Sequence, residues 1–200
     1  MSVNLKMDKR IEKTKQKIKS KYIELMFQKE PNTIQVKELC KQANINRSTF
    51  YERYGYIDKL IDEIIEEEVT KISLNNYDIE SNYQNSKINK TMIKTYVESF
   101  YNNKILVRFC LVNNNDFYVS KIIHKQIEFS IKKLNNVSYY QALFQVVGVL
   151  SVLIEFLNNK KTHSIEDIVD IIYNHILILL KDKIDWKLKK YWTFRSVFFK

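Results

Sequence analysis

Hydrogen-bond donors crowd one short segment of the chain, residues 47–54, which reads RSTFYERY. At helical spacing its polar side chains fall on one outward face, while Phe50 points inward. Guanidinium and hydroxyl groups are the side chains that bind base edges in the major groove and phosphate oxygens beside it. The segment therefore predicts a recognition helix for double-stranded DNA.

A second helix and a turn must hold this segment in place. Residues 36–43 supply that helix, because apolar side chains recur there at i, i+3, i+4 and i+7: Val36, Leu39, Cys40 and Ala43. Asn44 stands where a helix end favours left-handed backbone, and the side chain of Asn46 is expected to cap the next helix. Gly55 is expected to end that helix. Two short helices joined by so tight a turn form a helix-turn-helix.

Roles differ along the predicted recognition helix. Residues at its start meet base edges in this motif, and here these are Arg47, Ser48 and Thr49. Neighbouring side chains hold phosphates, and the predicted set is Lys37, Tyr51, Arg53 and Tyr54. Tyr54 is at the same time expected to lie on the inward side with Phe50.

From about Arg10 to Ile72 the chain resembles the DNA-binding domain of TetR-type bacterial transcriptional repressors. The matching segments are Thr14–Lys15, Thr33, Val36–Leu39, Ala43–Asn46, Arg47–Tyr51 and Lys59–Ile61, of which RSTFY is fairly specific. The resemblance implies an N-terminal DNA-binding domain, a helix near 58–73 that links it onward, and a helical regulatory domain that binds effectors.

The chain departs from that family pattern in two places. Asn44 stands where the family usually has Gly, which is a mild change. Ile57 stands where the family often has a phosphate-binding Lys. Whether Lys59 or the region around Gly55 replaces that contact is left open.

Charge is segregated along the sequence. The chain carries a formal net charge of +10, and residues 1–60 hold 14 Lys and Arg against 7 Asp and Glu. Residues 61–182 are close to neutral. A basic excess at the helix-turn-helix end is what a phosphate-binding face requires. Other charged groups are expected to face solvent, namely most lysines of the first helix and the acidic run 66–68.

Two Gly and one Pro in 200 residues leave few breaks, so long helices are favoured. Apolar periodicity predicts an all-α chain of about nine helices. A three-helix helix-turn-helix DNA-binding domain is expected over 10–72. A helical ligand-binding and dimerisation domain is expected over 73–182, and a basic aromatic tail over 183–200.

The last two predicted helices begin at Ser138 with Gln141 and at Ser164 with Asp167, a capping-box pattern. Both are apolar nearly all round, so each must be covered on more than one side. We expect a homodimer in which they form a four-helix bundle with their copies. The alternative is a pair of internal core helices in a monomer.

Aromatic residues are numerous between residues 96 and 129, and most are expected to be ordinary core. Some are candidates for the pocket of a small apolar effector: Tyr96, Phe100, Phe109, Tyr118 and Phe129.

Several classes of function find no support in the sequence. The three His are scattered, so no metal site is expected, and the two Gly are isolated, so no phosphate-binding loop is expected. We expect no cofactor and no enzymatic activity. Two distant Cys without an apolar leader suggest a reducing cytoplasm. No stretch reaches 18 uncharged apolar residues, so no membrane span is expected. The alternatives are an effector-independent architectural or co-regulatory DNA-binding protein and a membrane-surface protein that uses the tail.

Overall fold

The computed structural model describes the backbone of residues 2–74, 89–133, 138–159 and 162–188, with side chains over slightly narrower ranges. These residues form nine α-helices and one 3-10 turn, Pro31–Thr33. The helices are α1 Ser2–Gln28, α2 Val36–Gln42, α3 Arg47–Tyr54, α4 Ile57–Leu74, α5 Lys90–Asn102, α6 Lys104–Cys110, α7 Asp116–Lys133, α8 Tyr139–Asn158 and α9 Ile165–Leu188. The predicted all-α fold is confirmed.

Helix starts follow the predicted local signals. At α8, the Ser138 amide donates to Gln141 Oε1 at 3.0 Å and the Gln141 amide donates to Ser138 Oγ at 3.3 Å. At α9, the Ser164 amide donates to Asp167 Oδ2 at 2.7 Å and the Asp167 amide donates to Ser164 Oγ at 3.2 Å. Both reciprocal caps satisfy amides that a helix start leaves without partners.

The N-terminal helices pack as a small bundle. α1 lies against α2, α2 against α3, and α3 against α4. The buried core between them is apolar and includes Ile18, Tyr22, Leu39, Phe50 and Leu60. This core fixes the orientation of α3 relative to the rest of the chain.

Helix α4 joins this bundle to the later helices through polar contacts. Lys121 and Lys125 of α7 pair with Asp62 at 2.6 Å and with Glu66 at 3.0 Å. Asn103 Nδ2 donates to Glu68 Oε2 at 2.9 Å. The expectation that the acidic run faces solvent is wrong for Glu68, which is buried, and Asn103 and Lys71 supply its carboxylate with hydrogen bonds in place of water.

The C-terminal helices form the rest of the fold. α9 packs along α5, α8 packs along α7, and ion pairs from Lys90 to Asp170 and from Lys94 to Glu166 tie α5 to α9. α9 continues to Leu188. The predicted tail therefore begins inside a helix, while residues 189–200 and the predicted loop over 75–88 lie outside the described residues.

Within the described residues, α8 alone is long and apolar enough to cross a membrane by length and composition, with a mean hydropathy of 1.7. That criterion is met equally by core helices of soluble proteins. α8 packs against α7 and α9 here, so the criterion does not make it a span.

Candidate DNA-binding surface

The turn between α2 and α3 is built as the sequence predicts. Asn44 has φ 48°, the left-handed conformation that Asn tolerates better than most residues. The Ile45 amide donates to the Cys40 carbonyl at 3.0 Å and closes the turn. Asn46 occupies the N-cap position in extended conformation, but its side chain accepts no capping hydrogen bond, so that detail of the prediction is wrong.

Aromatic packing holds the inward face of α3 against the core. Phe50 is fully buried, and its ring centroid lies 5.6 Å from those of Tyr51 and Tyr54. Gly55 ends the helix with φ 71°, which its lack of a side chain allows without strain. The buried side of α3 is thereby fixed, and the opposite side is left open to solvent.

Tyr54 belongs to the buried side and not to the surface. Only 3% of it is exposed, and the Lys15 ammonium lies 5.4 Å above its ring. Burial also raises the pKa of its hydroxyl, so the group stays neutral. The prediction that Tyr54 holds a phosphate is wrong, since its hydroxyl is buried beneath α1 and α4.

The open side of α3 carries most of the other predicted residues. Arg47 and Ser48 are exposed, Thr49 is half-buried, and Tyr51 is 52% exposed. Lys37 is exposed on α2. Their donors face solvent at the start of α3, the part of a recognition helix that meets base edges.

Arg53 is only partly available. Its side chain is largely buried and its Nε finds no partner among the described residues, while Nη1 lies 3.4 Å from Glu52 Oε1. The outer guanidinium nitrogens are therefore the part of Arg53 that remains for a phosphate.

Ion pairing distinguishes two sets of cations in the N-terminal helices α1–α4. Lys15, Lys19, Lys21 and Lys29 all pair with carboxylates. Within the described residues, no carboxylate lies within salt-bridge distance of the cations of α2, of the start of α3 and of the start of α4: Lys37, Lys41, Arg47 and Lys59. Arg10, Lys13 and Lys17, which are exposed on α1, likewise have no carboxylate within that distance among the described residues. Unpaired cations therefore occur on the helix-turn-helix and on the first helix.

The paired group stiffens the scaffold. Lys19 is buried between α1 and α4, where it contacts Glu63 at 3.0 Å and also Glu67. Lys15 reaches Glu63 at 2.8 Å. Lys19 is an exception to the expectation that most lysines of α1 are solvated, because the crossing of α1 over α4 brings carboxylates to it.

Three exposed residues near the motif lie outside the predicted set of contacts, although Lys59 was left open as a replacement for the family's phosphate-binding Lys. Tyr56 is 53% exposed directly after α3, and the Lys59 ammonium lies 5.1 Å above its ring. Glu52 is exposed on α3 itself. The sequence signal for Lys59 was Ile57, which stands where the family often has a phosphate-binding Lys. No pattern in the sequence singled out Tyr56 or Glu52.

Of the predicted effector-pocket residues, Phe100, Phe109 and Tyr118 lie in the core of the later helices, and Tyr96 packs against it. Phe100 and Phe109 have no exposed surface, and Phe109 stacks on Tyr118 with centroids 4.9 Å apart. Side chains without accessible surface line no cavity in this state. Tyr96 donates from its hydroxyl to Gln126 Oε1 at 3.0 Å, and Phe129 is half-buried.

An apolar groove lies elsewhere, between α8 and α9. It has a volume of about 850 Å³. Its most exposed apolar side chains are Tyr140, 78% exposed, and Phe144, 59% exposed. Gly148 contributes to its wall, and a Cβ there would meet nothing within 4 Å.

The described residues form neither a metal-binding cluster nor a reactive thiol. No group of three or more His, Cys, Asp or Glu there could hold a metal ion. Cys40 and Cys110 are free and buried, and burial raises the pKa of Cys110 to about 12. At neutral pH such a thiol is protonated and unreactive.

The fold is that of TetR-family regulators. A transcriptional regulator of the TetR/AcrR family from Aquifex aeolicus VF5 is 21% identical, with a TM-score of 0.50 over 83% of this chain and 99% of that one. A protein assigned to the TetR family of transcriptional regulators, from Syntrophomonas wolfei, is 16% identical, with a TM-score of 0.58 over 84% and 95%. No family model and no curated relative matches the chain. The likeness confirms the predicted TetR-type fold.

Proposed function

We propose that the protein is a sequence-specific DNA-binding transcriptional regulator, a non-enzyme that acts in the cytoplasm as a homodimeric, ligand-responsive repressor. The observation that carries the proposal is the exposed start of α3, which presents Arg47 and Ser48 over a fully buried Phe50. Such a helix places donors at base edges with little freedom to rearrange. The unpaired cations around it supply salt-dependent affinity by displacing counterions from DNA.

Dimerisation is supported by the α8–α9 groove. One chain leaves its apolar wall, including Phe144 and Ile171, open to water. A second copy of the same two helices would cover both walls at once in an isologous four-helix bundle. Two recognition helices related by a two-fold axis then match a palindromic operator.

The effector response rests on the later helices. Gln126 is buried and its Nε2 has no partner among the described residues, beside the hydroxyl of Tyr96. A buried donor without a partner costs about 1–3 kcal/mol. A small, mainly apolar effector with one hydrogen-bond acceptor would satisfy it in a conformation in which α5 and α7 separate to admit the molecule, since Gln126 is buried here. Such a molecule would release the operator if it binds the two conformations of the dimer unequally.

The test is selection of bound duplexes from a random DNA pool with the full-length protein, followed by footprinting. A repressor of this kind enriches one palindromic sequence and protects both half-sites. Enrichment of no sequence, with binding that depends only on salt, would instead support an architectural DNA-binding protein. Thermal-shift measurements against apolar compounds test the effector, since a ligand of the folded state raises Tm.

A further inference from the structure

Glu52 is an exposed carboxylate on the face of α3 that carries the predicted base contacts. Its side chain is 64% exposed, and it lies one helical turn after Ser48 on the same side of the helix. Its contact with the neighbouring Arg53 is 3.4 Å, longer than a strong charge-assisted hydrogen bond. The carboxylate oxygens are therefore free to accept from another donor.

The other carboxylate of the helix-turn-helix, that of Glu38, has a lysine partner. Glu38 of α2 is bound by Lys29 from the end of α1. Glu52 has no lysine partner in the described part of the chain, on a surface otherwise made of donors and cations. Arg53 is its one cationic partner among the described residues. Bringing so weakly paired a negative charge close to phosphates costs free energy unless the carboxylate gains a donor there.

Base edges in the major groove offer few donors. Guanine presents two acceptors, and thymine presents an acceptor and a methyl group. Adenine presents an amino donor next to the N7 acceptor, which repels a carboxylate, whereas cytosine presents its N4 amino group. An ionised carboxylate only accepts hydrogen bonds, so cytosine is the base that matches it.

We propose that Glu52 determines specificity by accepting a hydrogen bond from the N4 amino group of a cytosine in each half of the operator. This inference rests on the proposed function, since it requires α3 to enter the major groove. The same carboxylate repels phosphates on every duplex, and only the hydrogen bond from cytosine offsets that cost. Glu52 therefore lowers affinity for other sequences more than for the operator, which raises the specificity ratio.

Two substitutions separate reading from repulsion. Glu52→Gln removes the charge and supplies an amide that pairs with the N6 and N7 atoms of adenine. The variant should bind random DNA several-fold tighter and change its preferred base from cytosine to adenine at one position per half-site. Glu52→Asp keeps the charge but is one methylene shorter, so it should lose roughly tenfold discrimination for cytosine while its affinity for random DNA is unchanged.

The experiment is random-pool selection and competition binding with the wild type, both variants and the control Glu128→Gln, an exposed carboxylate on α7. The inference is supported if the wild type and the control select a cytosine at one position per half-site and Glu52→Gln selects another base there. An identical selected sequence for wild type and Glu52→Gln overturns the inference while leaving the proposed function intact. A wild-type pool without any enriched sequence overturns both. Circular dichroism of each variant checks that the fold is retained.

Discussion

Arg108 Nε donates a hydrogen bond to the carbonyl of Met26 at 2.9 Å, so a helix of the later part of the chain closes the C-terminal end of α1. The same guanidinium reaches the carbonyl of Lys29 at 3.2 Å and Glu30 Oε1 at 3.2 Å. Carbonyls at a helix end have no partner within the helix, and a cation there is attracted by the partial negative charge at that end of the helix dipole. Arg108 thus ties α6 to the end of α1 in the N-terminal bundle.

Arg108→Ala should lower the free energy of unfolding by about 2 kcal/mol, because charged hydrogen bonds to helix-end carbonyls are lost. Arg108→Lys should restore only part of this, since an ammonium lacks the planar fork that spans the three acceptors. Denaturant unfolding measures both. Lys104→Ala, an exposed position on the same helix, is the control. Equal stability of Arg108→Ala and the control would contradict the assignment.

The ion pairs between α1 and α4 predict a loss of stability in acid. Burial by itself would raise the pKa of Glu63, but hydrogen bonds and charges from Lys15 and Lys19 outweigh it and hold that pKa below its usual 4.5. A folded-state pKa lower than the unfolded one contributes stability above about pH 4.5, and the contribution is lost as pH falls further.

Glu63→Gln should therefore be less stable near neutral pH and should lose less stability than the wild type on acidification below about pH 4.5. Thermal unfolding across this pH range measures the slope. Glu24→Gln, whose exposed carboxylate pairs with Lys21 within α1, is the matched control and should follow the wild-type curve. Parallel curves for Glu63→Gln and the wild type would show that the pair contributes nothing.

Local features of this fold were predictable from sequence because they depend on backbone demands. Asn44 and Gly55 both adopt positive φ where helix ends require it, and the cap at Ser138 forms with its partner three residues on. The pairing of Lys19 with Glu63 was not predictable, since those residues meet only after α1 crosses α4. The buried hydroxyl of Tyr54 was missed for the same reason. Residue spacing shows which face of α3 points inward, but whether a side chain at the border of that face is buried depends on the neighbouring helices.

The groove between α8 and α9 gives a test of dimerisation. Phe144→Lys should convert the protein to a monomer, because it places a charge in an apolar wall that a second copy would cover. Sedimentation velocity over a concentration series measures the change. Phe117→Lys, at an exposed aromatic on α7 outside the groove, is the control and should sediment as the wild type. A wild type that is monomeric at every concentration would contradict the proposal.

Arg47 carries the prediction on base reading. Arg47→Ala should relax the sequence preference at one position per half-site and cost about 1–3 kcal/mol against the preferred base, because a guanidinium pairs with two acceptors of guanine. Competition between the selected site and single-base variants measures this. The exposed Lys41→Ala on α2 should weaken all duplexes alike. An unchanged footprint and base preference for Arg47→Ala would refute its role.

Lys59 is expected to replace the phosphate contact that Ile57 cannot make. Its ammonium is held over the exposed ring of Tyr56 and has no carboxylate partner among the described residues, so phosphate would gain a cation that is already placed. Lys59→Ala should reduce the slope of log K against log salt concentration by about 1 per subunit without altering the selected sequence. Lys104→Ala should leave the slope unchanged. If the two variants share one slope, the phosphate at this edge is bound by another group, and the exposure of Tyr56 and Lys59 has no part in DNA affinity.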